Sequence, residues 1–306
     1  MVGFNPEPIN GRELSSFEYS EAGLLSGIAT RAIIQPLDVL KIRFQLQEEP
    51  MRGQKSGKYT GLFQSIRVIV KEEGVKAFWK GHIPAQGLSA VYGLVQFSSF
   101  EMFSRQLARI EYFKENKKST DFIAGAVAGC TAMTAAMPLD VIRTRLVAQG
   151  EPKVYKSTLH AARKIWEHEK VPGFFRGITP SLAQIAPFTG LQFLIYNYIH
   201  KIWGQYSVHD TTGALFSGAA AGTISKMILY PLDLVRHRLQ VNAYIRKGFG
   251  NTTRHKSMLK AIQGIIKKES VFGLFKGLGP SLIKAGANSG CSFLFYEIAC
   301  DILRKT

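Results

Sequence analysis

Long apolar stretches alternate with charged segments along the whole chain. Three stretches of membrane length contain no charged residue: 83–100, 122–139 and 177–199. Three others have comparable length but include charges: 17–45, 211–240 and 277–304. Each is long enough to cross a bilayer as a helix, and a charge at membrane depth favours a helix with one face on lipid and one on water. The pattern therefore predicts six membrane helices, some of them amphipathic.

Polar segments connect these helices in pairs. Each segment contains a short stretch with apolar residues at helical spacing. These stretches predict three short amphipathic helices: 62–71, 158–168 and 258–268. The order of long helix, short helix and long helix thus occurs three times.

Two sets of residues repeat at identical offsets about a hundred residues apart. The first set reads Gly23, Gly27, Pro36, Asp38, Lys41; then Gly125, Gly129, Pro138, Asp140, Arg143; then Gly218, Gly222, Pro231, Asp233, Arg236. The second reads Glu73, Trp79, Lys80, Gly81, Pro84, Phe97; then Glu169, Phe175, Arg176, Gly177, Pro180, Phe193; then Glu269, Phe275, Lys276, Gly277, Pro280, Phe293. This agreement indicates a threefold internal repeat.

The repeat predicts the fold class and the division of the chain. We expect an all-α membrane protein with six transmembrane helices in three pseudo-threefold repeats and three short amphipathic helices on one side. The expected segments are an N-terminal tail and three repeats: 1–16, 17–113, 114–205 and 206–306. Glycines at four-residue spacing in apolar helices further predict close helix packing.

The charge balance indicates anionic partners. The chain has 39 Lys and Arg against 22 Asp and Glu, a net charge of +17. A soluble nucleic-acid-binding repeat protein would explain this charge, but not the uncharged run at 177–199, so no nucleic acid partner is expected. Most cations follow the first helix of each repeat, which places those segments on the matrix or cytoplasmic side and both termini on the opposite side.

Enzyme motifs and metal-ligand spacings are missing from the sequence. No GxGxxG or P-loop occurs, the seven histidines form no ligand-spaced pair, and the three cysteines have no paired spacing. We therefore expect neither catalysis nor a bound metal or cofactor.

The aspartate and the basic residue of each repeat predict a gate. They lie three positions apart on one helical face and could form a local pair. With threefold symmetry, each aspartate can instead reach the cation of an adjacent repeat and close a ring of ion pairs. The predicted ring consists of Asp38, Lys41, Asp140, Arg143, Asp233 and Arg236.

The segments PLDVLKIR, PLDVIRTR and PLDLVRHR, followed by FWKG, FFRG and LFKG, resemble the mitochondrial carriers from residue 19 to residue 303. The resemblance implies a multi-pass protein of the mitochondrial inner membrane, with both termini in the intermembrane space. Since a single chain already closes the threefold body, we expect a monomer. The resemblance makes the ring a matrix gate. It also implies a glutamine that supports the gate, called the brace, nine residues after each proline. Gln45 and Gln240 fit this pattern, and Val147 departs from it.

The same resemblance implies a second gate on the cytoplasmic side. The positions that correspond to it hold Glu101, Tyr196, Asn197, Tyr296 and Glu297. Since the second repeat has an asparagine where an acid is usual, and the cations are largely missing, we expect apolar and tyrosine contacts to close this gate.

An aromatic residue, a cation and a glycine precede the second long helix of each repeat. These residues are Trp79, Lys80, Gly81, Phe175, Arg176, Gly177, Phe275, Lys276 and Gly277. Backbone amides at a helix N-terminus bind phosphate. The resemblance implies cardiolipin as the ligand; simple anchoring of these side chains at the membrane interface is the alternative.

Three cations outside the ring predict the substrate site. Arg31 and Lys226 each lie seven residues before a ring aspartate, two turns away on the same face, and Lys284 lies deep in its helix. The resemblance implies contact points at Leu88, Ser89, Gln184, Ile185 and Lys284. Tyr92 and Phe188 could flank a flat ring, although ordinary packing explains either alone. We expect a solute with two or more phosphates, such as a phosphorylated cofactor, ATP or ADP, a deoxynucleotide or coenzyme A.

Overall fold

The computed structural model describes residues 14–49, 57–110, 117–206, 210–242, 255 and 257–305. The first thirteen residues of the expected tail and the expected repeat boundary after residue 113 lie outside the described residues. The described part of the chain is helical throughout its regular structure, with no strand.

Six long helices lie in the described ranges, two from each repeat. They are α1 (Ser16–Leu46), α3 (His82–Leu107), α4 (Lys117–Ala148), α6 (Ile178–Tyr206), α7 (Asp210–Gln240) and α9 (Leu278–Lys305). Three shorter helices lie between the members of each pair: α2 (Leu62–Glu73), α5 (Thr158–Phe174) and α8 (Met258–Glu269). All nine occur where the sequence pattern predicts them, although most are longer than predicted.

Serine side chains mark the starts of several helices. Ser15 caps α1 in a reciprocal capping box with Glu18, and Ser157 and Ser257 cap the short helices α5 and α8. These caps satisfy backbone amides that have no partner within the helix. Two short 3-10 helices, Val75–Trp79 and Val271–Phe275, follow α2 and α8 and were not predicted.

The long helices pack in pairs between successive repeats. The closest pairs are α3 with α4, α6 with α7, and α9 with α1. This order connects repeat 1 to repeat 2, repeat 2 to repeat 3, and repeat 3 back to repeat 1. The six helices therefore form a closed ring with pseudo-threefold symmetry.

Most of the repeated glycines do not mediate the close packing that their spacing predicts. A Cβ atom at Gly23, Gly27 or Gly218 would meet nothing within 4 Å. Gly125 and Gly129 line the central cavity, and only Gly129 has a close neighbour, since a Cβ added there would lie 3.0 Å from Ile185 Cγ2. At Gly125 and Gly129 a cavity thus occupies the space where the pattern predicted helix contact, and Gly23 and Gly27 are exposed.

Apolar side chains cover much of the outer surface of the bundle. Ile83, Leu94 and Phe97 are between 71% and 79% exposed. Such exposure is costly in water but favourable in lipid. Among the described residues, one helix, 119–148, combines the length and apolarity of a membrane span. Because the other long helices carry polar residues toward the cavity, the repeat pattern indicates six spans more clearly than hydropathy does.

Two residues that follow the short helices adopt a backbone conformation that favours glycine. Lys170 (φ 54°, ψ −152°) and Ser270 (φ 67°, ψ 173°) occupy the position that Gly74 (φ 77°) holds in the first repeat. This region of φ and ψ is almost restricted to glycine, and other residues in it carry a conformational strain of about 1–3 kcal/mol.

We therefore expect Ser270→Gly to raise the unfolding temperature of the purified protein by several degrees, since it relieves this strain. Thermal unfolding followed by a thiol-reactive fluorophore is a suitable measurement. Gly74→Ser is the matched control and should lower the temperature. A lower unfolding temperature for Ser270→Gly would contradict the argument.

Candidate functional site

Three ion pairs form a ring at one end of the bundle, where α1, α4 and α7 converge. Each joins an aspartate of one repeat to a basic residue of another at 2.7 Å: Asp38 with Arg143, Asp140 with Arg236, and Asp233 with Lys41. The side chains are largely buried, and the most exposed, Arg236, is 17% exposed. Because the partners belong to different repeats, the pairs must separate if the repeats move apart at this end.

Glutamines support two of the three pairs. Gln45 Nε2 donates to Asp233 Oδ2 at 2.9 Å and to the hydroxyl of Tyr230 at 3.0 Å. Gln240 Nε2 donates to Asp140 Oδ2, and its Oε1 accepts a bond from Thr144 Oγ1 at 2.6 Å. The family resemblance implied both glutamines as braces.

His237 is a further member of this cluster that the sequence analysis missed. Its Nδ1 lies 3.1 Å from Gln240 Oε1, and its Nε2 lies 3.8 Å from Asp233 Oδ1. Since the amide nitrogen of Gln240 faces the carboxylate of Asp140, its oxygen faces His237 and can only accept. In the tautomer with the proton on Nδ1, His237 donates to this oxygen, and Thr144 Oγ1 lies 3.3 Å from the same nitrogen.

A second set of buried arginines lies two residues beyond the ring cations. Each contacts a glutamate in the short helix of its own repeat through two guanidinium nitrogens: Arg43 with Glu73, Arg145 with Glu169, and Arg238 with Glu269. Each also donates to a backbone carbonyl at the end of a long helix in another repeat, as Arg43 does to Val147 at 3.2 Å. These arginines tie the three repeats together below the ring.

The position of these arginines could have been found from the sequence. A basic residue follows each repeated proline by seven positions, at Arg43, Arg145 and Arg238. The sequence did not reveal that their partners are Glu73, Glu169 and Glu269, because those glutamates lie 24 to 31 residues away along the chain.

The electrostatics of Glu73 reflect this arrangement. Burial by itself would raise the pKa of the Glu73 carboxyl, but the hydrogen bonds and charge of Arg43, and then those of Lys80, outweigh burial and lower the pKa. Arg145 and then Arg176 lower the pKa of Glu169 against burial in the same way. Both glutamates are therefore ionised at physiological pH and hold their arginines in place.

A cavity of about 780 Å³ lies at the centre of the bundle above the ring. Every substrate contact predicted from the sequence lines it: Arg31, Leu88, Ser89, Tyr92, Gln184, Ile185, Phe188, Lys226 and Lys284. The ring residues form part of the same lining. The cavity thus brings the predicted cations and the predicted gate together.

The three predicted cations reach the cavity from repeats 1 and 3. Arg31 donates to the backbone oxygen of Ala85 at 3.2 Å, and Lys226 donates to that of Ser281 at 3.2 Å. Lys284 extends further toward the ring, with its Nζ 2.5 Å from Asp38 Oδ1. The sequence analysis did not predict this contact between the cavity and the ring.

Above the ring, the wall contributed mainly by repeat 2 has no charged residue and combines apolar side chains with polar ones such as Gln184 and Gln192. Met133 occupies the position that Arg31 and Lys226 hold in the other repeats, and it belongs to a buried hydrophobic cluster with Tyr92 and Ile185 packed against it. Phe188 lines the cavity near these residues. The cavity therefore has a cationic side and an uncharged, partly aromatic side.

The residues of the predicted second gate do not meet one another. Glu101, Asn197 and Glu297 are exposed, and no ion pair between them occurs among the described residues. Glu101 pairs with Arg105 on its own helix. Tyr196 stacks on His200 with ring centroids 5.4 Å apart, and Tyr296 packs against a buried cluster near the start of α1.

The predicted lipid-binding residues lie at the starts of α3, α6 and α9. Gly81, Gly177 and Gly277 have φ between 76° and 81°, and a Cβ at each would lie within about 3 Å of a backbone oxygen of a neighbouring repeat, so only glycine fits. The cations between aromatic residue and glycine pair with glutamates: Lys80 with Glu73, Arg176 with Glu169, and Lys276 with Glu269.

A second cavity of about 660 Å³ lies beside one of these sites. Phe275, Lys276 and Gly277 of repeat 3 line it together with Gly61 and Leu62 of repeat 1. Among the predicted lipid-binding residues outside this cavity, Trp79 donates its indole N–H to the backbone oxygen of Ala32 at 3.0 Å, and Phe175 packs against the hydrophobic cluster of repeat 2.

Comparison with known families gives a match over nearly the whole chain. The family model described as mitochondrial carrier protein matches three times, over residues 12–111, 114–207 and 208–306. The three matches follow one another as the three repeats do.

Similar proteins come from animals, plants and fungi. A mitochondrial thiamine pyrophosphate carrier of Macaca fascicularis is 43% identical over 99% of this chain and 97% of its own length. A mitochondrial thiamine diphosphate carrier 1 of Zea mays is 36% identical, covering 92% and 93% of the two chains. A mitochondrial thiamine pyrophosphate carrier 1 of Aspergillus niger is 34% identical, covering 92% and 91%.

Short segments of the sequence carry the same similarity to the animal relatives. They are MVGFNPEP at the start, FWKGHIPAQ, GEPKVY, and ISK followed by YPLDL. The similarity over nearly the full length confirms this resemblance.

Proposed function

Because the chain belongs to the mitochondrial carrier protein family, we propose that it imports thiamine pyrophosphate across the mitochondrial inner membrane. Membership of the family confirms the predicted carrier fold and makes the protein a transporter rather than an enzyme. The names of relatives from animals, plants and fungi support the choice of substrate.

The two-sided cavity is the observation that carries the proposal. Thiamine pyrophosphate has a diphosphate at one end and two flat rings at the other. The cationic side, with Arg31, Lys226 and Lys284, would bind the diphosphate through charge-assisted hydrogen bonds. The opposite side offers Tyr92 and Phe188 to the rings by stacking, with Gln184 available as a hydrogen-bonding partner.

Transport would proceed by alternating access in exchange for adenine nucleotides. In the conformation described above, the ring of ion pairs closes the matrix end, and the acidic residues of the other gate are apart. Solute would enter the cavity from the cytoplasmic side, and opening of the ring would release it to the matrix. Glu101, Asn197, Glu297, Tyr196 and Tyr296 would approach one another in the opposite state.

The membrane context completes the proposal. Cardiolipin phosphates would bind the backbone amides at the starts of α3, α6 and α9, since Lys80, Arg176 and Lys276 already pair with glutamates. A single chain closes the bundle of six long helices, so we propose a monomer. Both termini would face the intermembrane space.

Uptake of labelled thiamine pyrophosphate into proteoliposomes tests this function. We expect saturable uptake that is accelerated by internal ATP or ADP. The internal nucleotide would bind the carrier after it has released thiamine pyrophosphate and would return the binding site to the outside. Thiamine monophosphate should compete weakly, since one phosphate engages fewer of the three cations.

The matched control is the same liposome preparation with heat-inactivated protein. Faster uptake of coenzyme A, ATP or a deoxynucleotide than of thiamine pyrophosphate would contradict the proposal and favour a carrier of that other phosphorylated solute. These solutes are the principal alternatives, because each presents phosphates to the same cations.

A further inference from the structure

The three ion pairs of the ring are not equally supported. Gln45 and Gln240 pack against Gly277 and Gly177, where a Cβ would lie 3.2 Å and 3.3 Å from the glutamine Cγ. Val147 packs in the same way against Gly81, where a Cβ would lie 3.0 Å from the valine Cγ2. Valine therefore occupies the place of the third brace without its hydrogen-bonding groups.

The arginine of the Asp38–Arg143 pair also lacks a hydrogen bond that its counterpart in another pair makes. Arg143 Nε is buried and has no hydrogen-bond partner among the described residues. In the corresponding pair, Arg236 Nε donates to Asp140 Oδ2 at 3.1 Å. An unsatisfied buried donor is costly, so the Asp38–Arg143 pair lacks a stabilising contact that the Asp140–Arg236 pair has.

Lys284 reaches this same pair from the cavity side. Its Nζ lies 2.5 Å from Asp38 Oδ1, while Arg143 Nη2 donates to Asp38 Oδ2 at 2.7 Å. Lys284 belongs to repeat 3, Asp38 to repeat 1 and Arg143 to repeat 2, so the three side chains join all three repeats at one point. With 28% of its side chain exposed to the cavity, Lys284 is also accessible to a bound solute.

We propose that Lys284 is the third brace of the matrix gate and that a diphosphate in the cavity displaces it from Asp38. The inference rests on the proposed function, because it takes the diphosphate end of the solute as the competing ligand. A phosphate oxygen and the Asp38 carboxylate compete for one ammonium group. Binding therefore weakens the Asp38–Arg143 pair, while Gln45 and Gln240 continue to brace the other two.

This arrangement couples occupancy to opening. In the empty carrier all three pairs are braced, and the gate stays closed. In the loaded carrier one pair has lost its brace, so the repeats separate there first. Lys284 is thus a positioning residue for the gate as well as a contact for the solute.

Val147→Gln tests the inference by installing a permanent brace. All three cavity cations remain, so the KM for thiamine pyrophosphate should not rise. We expect a higher unfolding temperature for the solute-free protein and a maximal exchange rate lower by about fivefold to tenfold, the equivalent of one hydrogen bond that must now break. An unchanged exchange rate together with an unchanged unfolding temperature would overturn the proposal.

Measurements on the solute-free protein provide a second test that does not depend on Val147→Gln folding well. Lys284→Gln should lower the unfolding temperature by several degrees. Lys226→Gln is the matched control, because Lys226 also lines the cavity but donates to the Ser281 carbonyl rather than to a ring aspartate. Equal effects of the two substitutions would overturn the proposal.

The double variant separates the brace from solute binding. Val147→Gln should restore the unfolding temperature of Lys284→Gln while uptake stays low, since the glutamine replaces the brace but not the cavity cation. A failure to restore the temperature would count against the brace. If the wild-type protein transports no thiamine pyrophosphate, the proposed function fails, but the solute-free measurements still decide whether Lys284 braces the gate.

Discussion

Replacing Arg31 or Lys226 with methionine is expected to lower the uptake of thiamine pyrophosphate by about 10-fold to 100-fold each, and the double substitution by more. Each cation would contribute a charge-assisted hydrogen bond to the diphosphate, and loss of one such bond corresponds to about 1.5–3 kcal/mol. Methionine is a conservative choice because Met133 already occupies the equivalent position in repeat 2. The effect is measured as initial uptake rate in proteoliposomes across a range of external concentrations.

The control is Lys267→Met, which makes the same chemical change at an exposed lysine of α8. It should leave uptake within about twofold of the wild-type rate, since surface charges contribute little. A double variant of Arg31 and Lys226 that keeps wild-type KM and rate would show that the phosphates bind elsewhere.

Asp140→Asn is expected to destabilise strongly the ring of ion pairs, which is the proposed matrix gate. Asp140 is 2% exposed, accepts hydrogen bonds from two nitrogens of Arg236, and accepts another from Gln240. Removing its charge leaves Arg236 buried without its ion-pair partner, which costs about 3–5 kcal/mol. We expect the unfolding temperature to fall by several degrees and preloaded solute to leak from vesicles that contain no external exchange partner.

The charge swap Asp140→Arg with Arg236→Asp provides the rescue experiment, because it restores an ion pair between the same two repeats. It should recover part of the lost stability and reduce the leak. Asp121→Asn, an exposed position at the other end of α4, is the matched control and should change neither quantity. Tight vesicles and a wild-type unfolding temperature for Asp140→Asn would contradict an ionic gate at this ring.

Much of the architecture could be predicted from periodic residues. The threefold recurrence of glycine, proline, aspartate and cation gave the number of repeats, and the apolar stretches gave the positions of the six long helices. The family match confirms the resulting fold class. The fold class follows from a repeated local pattern, so a single sequence carries most of the information about it.

The contacts between repeats could not be predicted in the same way. They depend on how separate helices approach one another. Examples are the position of His237 beside the ring, the pairing of Arg43 with Glu73, and the contact of Lys284 with Asp38. The predicted close packing at Gly23 and Gly27 was wrong for this conformation, because a spacing identifies a helical face but does not say which face meets a neighbour.

The sequence by itself determined the repeats, the helices and the chemical types of the residues in the ring and the cavity. Periodicity is a local property of the chain, and three copies of it leave few alternative folds. Only the tertiary structure decided which cation supports which aspartate, since Arg143 and Lys284 both reach Asp38 from other repeats. Ion pairing depends on distances of a few ångströms between helices, and those distances are set by how the three repeats pack around one cavity.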